Sequence, residues 1–218
     1  MALRDLFTDA ELAAVRTATE AAESRSGGEL VCVVVERSDS YDEARWRAAT
    51  LGALGGGLIA AYGFWALDAW SPLSFVWPAL MPLLGIAIGW LIATTVPAIE
   101  RELASASTLN HRVHQRAAAA FASEGVAKTR RRTGVLIFLS LFEQRVELLC
   151  DEGIRNGVPA DRWQPLTRRL AAGIADGEAG PALVAAVEAV SELLIEAGIE
   201  RDDDDVNELA DEPRLLDE

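Results

Sequence analysis

The residues best suited to chemistry are three carboxylates, Asp151, Glu152 and Asp161. The first two follow the apolar run Val146 to Cys150, and the third stands at the start of a helical pattern. Carboxylate oxygens suit hard cations, and ligands of open α/β sheets gather at strand ends, so this trio is a candidate site for calcium or magnesium. The same residues fit an ordinary use as two turn acids and a helix cap, since they lack the dense ligand spacing of a calcium-binding loop. His111 and His114 lie three apart on a helix and could share a metal, but no third His, Cys or carboxylate stands at helical distance. There is no G-x-S-x-G, no P-loop, no dinucleotide-binding glycine fingerprint and no Cys-His signature. Ser140 falls inside a strand pattern, where it reads as packing, and no residue is assigned a catalytic role.

A second group is cationic. Arg112, Arg116, Lys128, Arg130, Arg131 and Arg132 form a basic patch expected to face lipid or a partner, because each cation near an anionic leaflet contributes about 1 kcal/mol. Opposed to it is the C-terminal stretch 200–218, where ten acids stand against Arg201 and Arg214. That stretch holds more than half of the formal net charge of −14 and reads as a solvated end. The remaining excess is modest, and its sign argues against a nucleic-acid binder.

What must position these groups is divided in two by hydropathy. Half of the 218 residues are hydrophobic, yet the 52 residues from Ala48 to Ile99 hold one charged side chain, Asp68. About 20 apolar residues cross a bilayer, and two such stretches are present, 48–67 and 75–95, joined by a turn containing Asp68 and Pro72. Trp65, Trp70, Phe75 and Trp77 flank that turn and Trp46 sits at the other end, as interfacial aromatics do. Gly52 and Gly56 in the first stretch, and Gly85 and Gly89 in the second, recur at four-residue spacing. Such spacing predicts close packing of the two helices on each other, with self-association of the chain as a secondary expectation. No acid or base lies within either stretch, which argues against a transporter.

Arg45 and Arg47 precede the first span and many cations follow the second, while the turn has none, so both ends are expected in the cytoplasm. Residues 1–8 have no apolar core or cleavage site and do not read as a signal peptide. Cys32 and Cys150 sit in apolar runs without C-x-x-C spacing and read as buried reduced thiols. A disordered chain, a disulfide-stapled miniprotein and a simple soluble enzyme are excluded.

Outside the hairpin, 166 residues suffice for one domain. Thr8 or Asp9 caps a helix carrying Leu12, Val15, Ala18 and Ala22, and Gly27-Gly28 ends it. Glu29–Val35 is apolar on both faces and reads as a central strand. A helix runs from Pro97 with Leu103, Ala106, Val113, Ala117, Ala120 and Phe121 at helical spacing. Strands at 134–141 and 146–150 form a hairpin, and two helices close the domain, with Trp163, Leu166, Leu170 and Ile174 inward on one and Leu183, Val187, Val190 and Leu194 on the other. A crossover makes the first two strands parallel, and the third is antiparallel. The fold class is α/β, a three-layer α/β/α sandwich with a mixed sheet of about three to four strands and an inserted transmembrane helical hairpin. Residues 1–47 and 98–199 form the domain, 48–97 the hairpin and 200–218 the acidic tail.

The run GGELVCVVV at 27–35, the block RTGVLIFLSLFEQRVELLCDEGI at 132–154 and the paired helices after it resemble the TPM domain family, in its bacterial, membrane-anchored branch with a two-helix insertion. The closing DDVNELADEPR is similar to the ends of that branch, and the resemblance covers nearly the whole chain. It implies a small αβ sandwich held in the bacterial inner membrane, acting as an accessory or interaction domain on membrane proteins or at the lipid surface. Some members are described as calcium binders or acid phosphatases, which implies a metal-dependent phosphatase as the alternative. Arg155 stands where related members have a Glu, which replaces an anionic ligand by a cation.

Overall fold

Every side chain of Glu29–Val35 (β1) and of Gly134–Ser140 (β2) is buried, so this part of the sheet is covered on both faces. The computed structural model describes residues 7–66, 76–155, 157–199, 201 and 207–216. Its element order is α1 (Asp9–Arg25), β1, α2 (Asp42–Ala66), α3 (Val76–Thr95), α4 (Pro97–Leu103), α5 (Ala106–Ser123), β2, β3 (Arg145–Cys150), α6 (Glu152–Arg155), α7 (Ala160–Ala175), α8 (Ala179–Glu196) and β4 (Arg214–Leu216). The chain divides into two units, one of residues 1–38 with 110–218 and one of residues 39–109.

The first unit is α/β with a mixed four-stranded sheet in the order β3-β2-β1-β4. β1 runs parallel to β2 from Glu29 opposite Gly134 to Val35 opposite Ser140, and β3 is antiparallel to β2. Alternation sorts the sheet's side chains. Leu30, Cys32, Val34, Val135, Ile137 and Leu139 pack with Val15 and Ala22 of α1, Leu170 of α7 and Leu183, Val187 and Leu194 of α8. Val31, Val33, Val35, Leu136 and Phe138 pack instead with Val113, Ala117 and Ala120 of α5.

Local chemistry sets the ends. Thr8 and Glu11 form a reciprocal capping box at α1, with Glu11 N–H donating to Thr8 Oγ1 at 3.2 Å and Thr8 N–H to Glu11 Oε2 at 2.8 Å. α8 ends where Gly198 adopts φ +75°, which lets Ile199 N–H reach back to the carbonyl of Leu194 at 2.9 Å. The turn between β2 and β3 occupies Leu141 to Gln144, and Gln144 takes φ +53° to close it.

The fourth strand corrects the reading of the C-terminal stretch as a solvated end. Arg214–Leu216 pairs in parallel with Val33–Val35, and Leu209 and Leu216 pack against the α5 side of the sheet. The acids hide this strand in the sequence, because three residues are too few to show alternation.

In the second unit, α2 and α3 are 25 and 20 residues long, about 37 and 30 Å at 1.5 Å per residue. Both are long and apolar enough to cross a membrane. The turn that holds Asp68, Trp70, Pro72 and Phe75 lies outside the described residues. The single helix expected from Pro97 onward is two, because Ser105 interrupts it as a cap: its Oγ accepts from Thr108 N–H at 3.2 Å and restarts the chain as α5.

Candidate functional site

The antiparallel course of β3 decides the fate of the acidic trio. Cys150 lies opposite Val135, so Asp151 emerges beside the amino ends of β1 and β2, and its N–H donates to Gly134 O at 2.9 Å. Ligand sites of open sheets lie at the carboxyl ends of parallel strands, so the strand-end argument for these acids fails. Asp151 is buried, 4% exposed, and already engaged. Its Oδ1 accepts from Arg132 Nη2 at 3.2 Å and from Glu152 N–H at 2.7 Å, and its Oδ2 faces Arg132 Nε at 3.4 Å. Its carbonyl accepts from Ile154 and Arg155 N–H, so it starts and caps α6. Arg132 Nη1 also approaches Glu152 Oε2 at 3.4 Å, and the two carboxylates push the Arg132 pKa above its ordinary value.

Asp161 is exposed in the first turn of α7, whose N-cap is Pro159, so it is not the capping residue. Among the described residues, no three His, Cys, Asp or Glu side chains come close enough to hold a metal ion. His114 Nδ1 faces Glu147 Oε2 of β3 at 3.6 Å, and His111 is exposed on α5. Arg155 donates to Cys150 O at 3.2 Å.

Arg112 and Arg116 sit on α5 about 16 and 10 Å along its axis from Ser123, and the turn bearing Lys128 to Arg132 follows beyond that end. Arg132 is committed to Asp151. Arg130 N–H donates to Glu208 Oε2 at 3.2 Å, and its Nε stands 3.8 Å from Oε1, so part of the acidic stretch folds onto the basic turn. Lys128 and Arg131 are exposed.

At the opposite, carboxyl end of β1 and β2 the sequence argument passed over a buried polar cluster. Ser140 donates to Glu143 Oε2, the hydroxyls of Ser38 and Ser140 are 2.7 Å apart, and Ser38 N–H donates to Glu143 Oε1 at 2.8 Å. Ser140 is fully buried and Glu143 is 3% exposed, so the cluster ties the end of β1 to the β2-β3 turn. The Ser-x-x-Glu spacing across that turn was the available signal. Arg37 lies over the Phe142 ring at 4.2 Å beside it.

The second unit brings together the four glycines singled out for packing. A Cβ on Gly52 would stand 2.0 Å from Gly85 O, one on Gly56 2.2 Å from Met81 O, and one on Gly89 2.3 Å from Ala48 O. The two backbones touch along this seam, and only hydrogen fits there. Trp46 meets Trp90 edge-on at 5.1 Å between centroids. At the base, Arg45 Nε pairs with the buried Glu100 at 2.9 Å and Arg47 donates to Leu103 O at 2.6 Å. Away from the seam the helices expose Leu51, Leu54, Leu58, Ile59, Leu83 and Leu91, together with Trp65 at 78%. Together these side chains make a broad apolar surface on the two helices. Thr50, Thr94 and Thr95 return their hydroxyls to carbonyls of their own helices, which removes free donors from that surface.

No family model matches the chain. No curated protein matches it either. Among solved structures it is similar to the NMR structure of the BA42 protein from the psychrophilic bacterium Bizionia argentinensis, with a TM-score of 0.58 and 16% identity over 96% of this chain and 95% of that one. At that identity the likeness concerns the fold alone.

Proposed function

We propose that this chain is a membrane-anchored interaction or accessory domain of TPM type, built as a three-layer α/β/α sandwich with the hairpin 48–97 inserted between its first two strands. The hairpin spans the bacterial inner membrane, and the sheet domain and both termini lie in the cytoplasm, where the domain acts on membrane proteins or at the anionic inner leaflet. The observation that carries this reading is the pair of apolar helices with their large side chains facing outward. The distribution of Arg and Lys around the spans supports the orientation, and the motifs GGELVCVVV and GVLIF support the family. The phosphatase alternative needs carboxylates available at 151, 152 and 161, and Arg132 already neutralises the first two.

Alkaline carbonate extraction of membranes from expressing bacteria tests the anchor. The protein stays with the washed bilayer and floats with it, and it shows no calcium- or magnesium-dependent hydrolysis of a phosphomonoester. Release by carbonate overturns the anchor, and metal-dependent turnover lost in Asp151→Asn restores the enzyme.

A further inference from the structure

The first unit contains a carboxylate that the proposed function does not use. Glu23 of α1 is 7% exposed; its Oε1 accepts from Leu30 N–H at 2.9 Å, while its Oε2 is buried without a hydrogen-bond donor among the described residues. It lines a cavity of about 210 Å³ with Glu20 and Ser24 of the same helix, Glu29 of β1, Arg201, and Asn207 and Asp211 of the C-terminal segment. The Asp211 carboxylate lines the same cavity, where its Oδ1 accepts from Asn207 Nδ2 at 2.8 Å. Ionised carboxylates gathered in one small cavity repel and cannot donate to each other, and a proton held between the buried Glu23 Oε2 and Asp211 relieves both faults.

We propose that the C-terminal segment 207–216 is fastened to the sheet domain by a proton shared between Glu23 and Asp211, and that the segment loosens when this proton is lost. With the proton present, Glu23 donates from Oε2 to the Asp211 carboxylate. Removal leaves two anions facing each other, with Glu29 as a third. The groups facing Glu23 are Glu20 and Ser24 from α1, Leu30 N–H, Glu29 and the Cys32 thiol from β1, Arg201, and Asn207 and Asp211 from the segment. Burial first, and then Glu29 and Asp211, push the Glu23 carboxyl up to about 9, against the pull of the Leu30 N–H.

Besides the Arg130 contact to Glu208 at 3.2 Å and Arg16 facing Glu212 at 3.6 Å, the segment is tied by polar contacts and a short edge strand, so it is a unit that can open locally. Glu29 Oε2 accepts from Glu208 and Leu209 N–H at 3.3 and 3.2 Å, and Arg214 pairs with Glu124 at 3.0 Å. β4 adds three residues of pairing at the sheet edge. Opening exposes Leu209, Leu216 and the β1 edge together, so the proton controls access to an unpaired strand.

Amide hydrogen exchange of residues 207–216 in the full-length protein in detergent micelles tests this, with protection expressed relative to an unstructured peptide at each pH. Protection falls roughly tenfold or more between pH 7 and pH 9 in the parent protein. It is level over the same range in Glu23→Gln and in Asp211→Asn, where an amide donates permanently. Level protection in the parent overturns the proposal, as does an equal fall in both variants. Protection of the parent restored at pH 9 by added calcium also overturns it, because the bridging species is then a metal ion.

Discussion

The guanidinium of Arg132 spans the carboxylate of Asp151, with Nη2 to Oδ1 at 3.2 Å and Nε to Oδ2 at 3.4 Å, so a residue first read as part of a cationic surface neutralises one first read as a metal ligand. The consequence is structural. Asp151→Ala removes the acceptor for Glu152 N–H and lowers the unfolding free energy by about 1–2 kcal/mol in denaturant titration. Asp151→Asn keeps the acceptor and costs less. Calcium and magnesium leave the melting temperature of the parent protein unchanged, and a metal-dependent rise lost in both variants contradicts this assignment.

The glycine seam yields a contrast within one helix. Gly52→Ala or Gly85→Ala places a methyl 2.0 Å from a facing carbonyl oxygen and forces α2 and α3 apart, at a cost of about 1–3 kcal/mol. Among the described residues nothing lies within 4 Å of a methyl at Gly55 or Gly63 of α2, so alanine there is neutral or slightly stabilising. Thermal unfolding in a fixed detergent separates the two classes. Equal effects at positions 52 and 55 would remove the seam.

Both thiols are unreactive while the protein is folded. Burial pushes Cys32 and Cys150 up to about 12, so the thiolate that attacks a maleimide is scarce at neutral pH. Counting labelled thiols by mass spectrometry should show slow modification in the native protein and two rapid modifications after denaturation. Fast native labelling of Cys32 contradicts its place in the core against α1 and α8.

Glu23 contributes stability that falls as pH rises. Its folded pKa of about 9 lies above the ordinary value of 4.5, so the folded state holds the proton over this interval and the unfolded state does not. The contribution is fully present below about 4.5 and is lost as pH rises through about 9. Glu23→Gln removes that slope and raises stability at pH 9 by an order of 1–3 kcal/mol relative to the parent. Urea titrations at pH 5, 7 and 9 check the sign.

The parts of the fold that declare themselves in the sequence are those in which one face or both are apolar over a full element. β1 was legible from Glu29 to Val35 because seven consecutive buried positions leave no room for polar residues, and α8 because Leu183, Val187, Val190 and Leu194 recur at helical spacing. β4 was not legible, since its pairing with β1 depends on a partner about 180 residues away and its own three residues carry no period. Polar partnerships were the least visible. Asp151 finds Arg132, and Glu29 finds the backbone of Glu208 and Leu209, only once the antiparallel β3 and the returning C-terminal segment bring distant positions together. The strand-end rule misled at Asp151 because it concerns parallel strands and β3 runs the other way.

The most direct test of the proposed anchor is thiol accessibility in intact bacterial cells, with the slow native thiols as a built-in blank. A membrane-impermeant maleimide should label Ser71→Cys from outside the inner membrane and Ser24→Cys only after lysis. Labelling of both from outside, or of Ser71→Cys only after lysis, contradicts a two-span hairpin with its domain in the cytoplasm.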